Sequence, residues 1–116
     1  MDYRVEKVIS LMRENVHRRI TLNELARAVH VTPEHLCRIF KAETGSPPAK
    51  YFKSLRMQKA KELLEATSLN IKEIISLIGV KDASHFVRDF EAAYGLTPSR
   101  YRVNYHSTYK KPPGSQ

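Results

Sequence analysis

One cysteine, Cys37, stands in 116 residues, which leaves no internal disulfide framework and no multi-cysteine metal site. Tryptophan is absent and glycine occurs four times. No glycine-rich loop is present to cradle a phosphate, and the five histidines are scattered without HExxH spacing. His35 and Cys37 are two residues apart on a helical pattern and point in different directions, the wrong arrangement for a nucleophile and its base. An enzyme is therefore not expected, and neither is a cofactor or a metal. The longest apolar run, IISLIGV from Ile74 to Val80, is far too short for a bilayer. The first fifteen residues have acids among their apolar positions and no small-residue cleavage site, unlike a signal peptide. Acidic residues are also scarce, 12 against 20 Lys and Arg, for a formal charge of +8. These counts predict a small, basic, cytoplasmic protein with a polyanionic partner.

Alternation of apolar and polar residues is too brief anywhere for a strand, and helical spacing dominates. Val5, Val8, Ile9, Met12 and Val16 form one stripe. Thr21-Leu22-Asn23-Glu24 has the form of a capping box and opens a helix through Val29. Thr32-Pro33 starts another that ends at Gly45, with proline at a position where its missing N–H costs nothing. A long helix is predicted over 49–66. Asn70 and Glu73 repeat the capping logic for a helix to Ile78, and Asp82 caps one ending at Gly95. Thr97-Pro98 starts a last short helix to about Asn104, leaving 105–116 as a basic flexible tail. The expected fold class is all-α, with about seven helices.

The chain also repeats itself. Leu22, Glu24, Leu25, Val29 and Val31 match Ile71, Glu73, Ile74, Ile78 and Val80 at an offset of 49. Leu36, Arg38, Phe40, Gly45, Pro48 and Tyr51 match Phe86, Arg88, Phe90, Gly95, Pro98 and Tyr101 at an offset of 50. One extra residue therefore sits in the second turn. Each copy has the spacing of a helix-turn-helix, whose second helix can enter a DNA major groove. Such corners are moderately common in helical proteins; two in one short basic chain are a strong signal. The expected organisation is a single DNA-binding domain over 1–116. It divides into a first unit at 1–45, a linker helix at 49–66 and a second unit at 70–104.

At 100° per residue, Leu36, Ile39 and Phe40 cover one face of the first unit's second helix. Glu34, Arg38, Lys41 and Ala42 stand opposite, flanked by His35 and Cys37. In the second copy Phe86 and Phe90 face inward, and Ser84, Arg88, Glu91 and Ala92 face out, with Val87 and His85 on the flanks. Solvated faces are the ordinary explanation of such charges, but Arg38 and Arg88 share one register. An arginine there can reach guanine O6 and N7, Glu34 can accept from cytosine N4, and Val87 or Cys37 can touch a thymine methyl.

Charge is unevenly distributed. Residues 1–45 hold eight basic and six acidic residues, and 46–69 hold five and two. Residues 70–99 hold three and four, and 100–116 hold four and none. The first unit is therefore expected to carry most of the base-specific affinity. Lys50, Lys53, Thr32, Lys81, Arg100 and Arg102 are candidate phosphate contacts, together with the helix starts at Asp82 and Thr97. Arg56 falls inside the apolar arc of the linker helix and is expected to pair with a buried carboxylate such as Glu24. Gly45 and Gly95 are assigned structural roles as helix ends.

The runs LARAVHVTPEHLCRIFKAETG, LRMQKAKELLEAT and IKEIISLIGVKDASHFVRDFEAAYGLTPSRYR resemble the DNA-binding domain of AraC/XylS-type bacterial transcription regulators. The most specific part is G-x-(S/T)-P-x-x-Y-R, Gly95 to Arg102. The resemblance covers about Val5 to Arg102. It implies two homeodomain-like helix-turn-helix units binding successive major grooves of double-stranded DNA, and activation through RNA polymerase. It also implies a nucleoid-associated cytoplasmic location. Carried onto this chain, base-contacting positions fall on Glu34, His35, Cys37, Arg38 and Lys41, and on Ala83, Ser84, Val87 and Arg88. Val80 stands where the family usually has Phe, and Ile75 where it usually has Ala. A stand-alone member would be a monomer, and a longer regulator could dimerise through a domain preceding this one. The other reading is a non-specific architectural nucleic-acid-binding protein, which would show no ratio between sequences.

Overall fold

The structure, a computed structural model, describes residues 1–109. Seven helices run in order: α1 (Tyr3–Glu14), α2 (Leu22–Ala28), α3 (Pro33–Thr44), α4 (Pro48–Ala66), α5 (Ile71–Leu77), α6 (Ala83–Tyr94) and α7 (Pro98–Tyr109). No strand occurs among the described residues, so the fold is all-α, as the spacing predicts. The chain divides into two compact units, Met1–Arg56 and Met57–Gln116, with the division inside α4.

In the first unit the local signals act as their sequence patterns predict. The Thr21 hydroxyl accepts from the Glu24 amide at 3.1 Å, and the Glu24 carboxylate accepts from the Thr21 amide at 3.3 Å. Two otherwise orphaned amides are thereby satisfied at the start of α2. Thr32 caps α3, with Pro33 in its first turn. Gly45 ends α3 at φ 80°, a left-handed conformation costly for residues with a Cβ. The apolar faces then meet in one core of Val5, Val8, Met12, Leu25, Ala26, Val29, Leu36, Phe40, Phe52 and Leu55. A fully buried Val, Leu, Phe or Met side chain contributes about 1.5–3 kcal/mol. Phe40 meets Tyr51 edge-on, centroids 5.2 Å apart.

The second unit repeats these devices. Asn70 and Glu73 form the capping box of α5, Asp82 caps α6, and Gly95 ends it at φ 81°. Its core comprises Met57, Ala60, Leu64, Ile74, Ile75, Ile78, Phe86 and Phe90. Phe90 meets Tyr101 edge-on at 5.7 Å, the counterpart of Phe40 and Tyr51. The turns match as well. The Val31 amide donates to the Ala26 carbonyl at 3.1 Å, and the Val80 amide to the Ile75 carbonyl at 3.2 Å.

Two expectations are corrected. Helix α7 continues to Tyr109, five residues beyond the predicted end, so 105–109 are not tail. Tyr105 stacks on Tyr101 one turn earlier in α7, centroids 6.2 Å apart, and His106 Nε2 lies 3.4 Å from the Leu64 carbonyl, a tertiary contact for that extra turn. Residues 110–116 of the expected tail lie outside the described residues. Arg56 does not pair with Glu24. Glu24 serves the Thr21 cap and faces Arg18 at 3.5 Å. The half-buried Arg56 guanidinium lies over the Phe52 ring, 4.1 Å from its centroid, and its buried Nε has no hydrogen-bond partner among the described residues. Burial and the neighbouring Arg19 charge pull the Arg56 pKa below its ordinary value.

Candidate nucleic-acid interface

Helix α3 buries Leu36 and Phe40 and thereby turns Glu34, Arg38 and Lys41 to solvent. His35 and Cys37 flank this exposed face and are half-buried. Cys37 also lines a cleft of about 370 Å³ with Ile20, Leu22, Pro48 and Phe52, so part of its surface faces away from the exposed ridge. The His35 ring holds the arginine beside it, its Nδ1 3.2 Å from Arg38 Nη2.

Arg4, from the first turn of α1, reaches the same imidazole, with its Nη1 3.5 Å from His35 Nε2. Nothing in the composition or spacing singles out Arg4. Its position next to α3 is a product of helix packing. Asp2 grips it through two oxygens, Oδ1 to Nε at 3.1 Å and Oδ2 to Nη2 at 2.8 Å. These hydrogen bonds, with one from the Arg4 amide, lower the Asp2 pKa from 3.8 to about 2.

Helix α6 buries Phe86 and Phe90 and exposes Ala83, Ser84 and Arg88, with Val87 half-buried. Arg88 thus occupies on α6 the place that Arg38 occupies on α3. At the N-terminus of α6 the expected cap forms, and it bears on the phosphate contact expected at the same place. Asp82 Oδ1 accepts from the Ser84 and His85 amides at 2.8 and 3.2 Å, which lowers the Asp82 pKa. A carboxylate therefore occupies the anion position of this helix start, and Asp82 is a cap rather than a phosphate contact.

Lys50, Lys53, Lys81 and Arg100 are all exposed. Thr32 and Thr97 use their hydroxyl oxygens as caps, accepting from the His35 and Arg100 amides at 3.1 and 3.3 Å. A threonine hydroxyl used in this way keeps its proton for a second acceptor. Arg102 departs from expectation. Its Nε donates to the Leu64 carbonyl at 3.1 Å, and its Nη2 to Thr67 and Leu63 at 3.1 and 3.4 Å. Its Nη1 donates to the Leu69 carbonyl. Four carbonyls at and beyond the end of α4 consume the guanidinium, so Arg102 is a structural clamp rather than a phosphate contact. The donor geometry is invisible to a charge count because α7 meets α4 across more than thirty residues of sequence.

Among the described residues no group of histidine, cysteine, aspartate and glutamate is arranged to hold a metal. None of the described helices is long and apolar enough to cross a membrane.

Residues 25–104 match the family described as helix-turn-helix domain. The lactose operon transcription activator of Staphylococcus xylosus is 29% identical over 107 residues, which cover 92% of this chain and 38% of the activator. A transcriptional regulator of Chromobacterium violaceum with an AraC-type DNA-binding domain superposes with a TM-score of 0.85 at 28% identity, over 90% of this chain and 94% of its own. The DNA-binding domain of the global transcriptional factor AdpA, solved on a target DNA, has the same fold. Its TM-score is 0.87 at 22% identity, over 93% of this chain and 97% of its own. The chain spans 13 to 38% of the length of the first curated relatives it matches.

Proposed function

The chain belongs to the AraC-type helix-turn-helix family of DNA-binding transcription regulators, and from that premise we propose how it reads DNA and how binding leads to regulation. In this reading α3 lies in a major groove with Glu34, Arg38 and Lys41 toward base edges, and His35 and Cys37 at the groove wall. In the second unit α6 does the same with Ala83, Ser84, Val87 and Arg88. Arg38 and Arg88 supply the bidentate guanine contacts. Lys50, Lys53, Lys81, Arg100 and the hydroxyls of Thr32 and Thr97 hold the backbone and set the register.

The observation that carries this reading is the exposed arginine at one register of two matching capped helices, each with its own buried core. Charge alone would suit an architectural binder equally well; duplication of an exposed base-reading position favours sequence-specific recognition. Binding of this kind places the protein on the nucleoid in the cytoplasm. In this reading binding leads to activation through RNA polymerase; the S. xylosus relative, named a transcription activator, supports activation itself.

Selection of bound duplexes from random DNA tests the reading. Recovery of a defined sequence is expected, and an unbiased pool would favour the architectural alternative. On the selected site Arg38→Ala should cost about 1–3 kcal/mol and erase preference at one base pair. Even weakening on every sequence would remove Arg38 from the base-reading set.

A further inference from the structure

We propose that Arg4 and His35 form a phosphate-binding site beside α3, which anchors one backbone phosphate of the duplex. The inference rests on the DNA-binding reading above. It adds to the interface a residue from α1, outside both helix-turn-helix copies.

Donors outnumber acceptors around His35. His35 faces a guanidinium on each side, Arg38 Nη2 at 3.2 Å from Nδ1 and Arg4 Nη1 at 3.5 Å from Nε2. Guanidinium nitrogens only donate, and a neutral imidazole has a single nitrogen lone pair. One of the two arginines therefore goes without an acceptor on this ring. The shorter contact, to Arg38, takes the Nδ1 lone pair, and the ring proton then sits on Nε2. Arg4 is already committed through Nε and Nη2 to the two oxygens of Asp2. Its Nη1 and the Nε2–H of His35 are left as two donors 3.5 Å apart, with no shared acceptor among the described residues. One anionic oxygen satisfies both.

Placement decides which anion. His35 lies in the first turn of α3, three residues after its Thr32 cap, where a recognition helix enters the groove and its flanks pass the phosphates. Arg4 is half-buried and tied to Asp2, so little side-chain freedom is lost when the oxygen binds. Glu43, a carboxylate at this corner, accepts from the Asp2 amide at 3.0 Å. A phosphate held here leaves Arg38 in place, because its partner nitrogen on His35 is the other one.

The test uses the selected duplex with single phosphates replaced, one at a time, by neutral methylphosphonates. For the unaltered chain one position flanking the α3 half of the site weakens binding. In Arg4→Met that position becomes neutral. The variant binds all sequences about fivefold less tightly at about 0.15 M salt, with the salt slope smaller by about one. Its base preferences stay unchanged. An unchanged slope, or the same methylphosphonate sensitivity in the variant, overturns the proposal. His35→Ala leaves α1 intact and serves if Arg4→Met fails to fold. It must reduce sensitivity at the same phosphate, and full retention overturns the proposal. Arg38→Ala separates the two levels. Loss of preference at one base pair with the phosphate effect intact supports both. If it weakens every sequence evenly, the base-reading assignment fails, while the methylphosphonate comparison still decides the phosphate site.

Discussion

His30 and Gly79 hold the same left-handed backbone conformation, φ 59° and φ 70°, at matching positions of the two repeated turns. The two copies thus reach one turn geometry by different routes. Gly79 adopts it without steric cost, whereas His30 presses its Cβ against the carbonyl after it.

This difference makes His30→Gly a stabilising substitution. Relief of the left-handed strain contributes about 1–2 kcal/mol, and the greater freedom of an unfolded glycine offsets about 0.4–1 kcal/mol of it. The expected net gain is about 0.5–1 kcal/mol in urea unfolding. A loss of stability would show that the His30 side chain makes contacts worth more than the strain. Gly79→Ala is the mirror experiment and must destabilise.

Arg102 offers a test that separates a clamp from a DNA contact. Its guanidinium donates to the carbonyls of Leu63, Leu64, Thr67 and Leu69, which end α4 and begin the connection to α5. Arg102→Met leaves those acceptors without a charged donor and should cost about 2–3 kcal/mol of stability. The salt slope of DNA binding, measured where the variant remains folded, should not change. A slope smaller by about one with stability preserved would return Arg102 to the phosphate contacts.

Much of this fold is legible in the sequence because it is written locally. Thr21 with Glu24, Asn70 with Glu73, Thr32 with Pro33 and the terminal glycines each act within a few residues, and a one-dimensional reading finds them. The repeat supplies the long-range information that such signals lack, by aligning Arg38 with Arg88 and Phe40 with Phe90. What escapes lies in tertiary contacts. The apolar position of Arg56 predicts a carboxylate partner, but the side chain lies half-buried over Phe52 instead. Arg102 counts as one positive charge in any composition, and only the approach of α7 to the end of α4 converts it into a clamp. The end of α7 is hidden because residues 105–109 carry no start or stop signal. Their tertiary contact is His106 near Leu64, beside the local stacking of Tyr105 on Tyr101 within α7.

Acid titration tests the Asp2–Arg4 pair. Asp2 is held at about 2 in the folded chain against an ordinary 3.8, through hydrogen bonds from Arg4. A carboxylate lowered on folding adds stability that is fully present above the unfolded value and disappears as pH falls through the folded one. The contribution of Asp2 should therefore persist above about pH 4 and vanish toward about pH 2. Asp2→Asn isolates the charge, because asparagine caps a helix as well as aspartate does and retains the bond to the Arg4 amide. The thermal midpoint of the variant should lie below that of the unaltered chain at about pH 6, and the two should converge as pH approaches about 2. Glu24 and Asp82 are lowered in the same direction and keep the remaining acid sensitivity common to both proteins. An offset that stays constant over that whole range would mean that the carboxylate charge adds nothing, and that Arg4 is held beside His35 by packing alone.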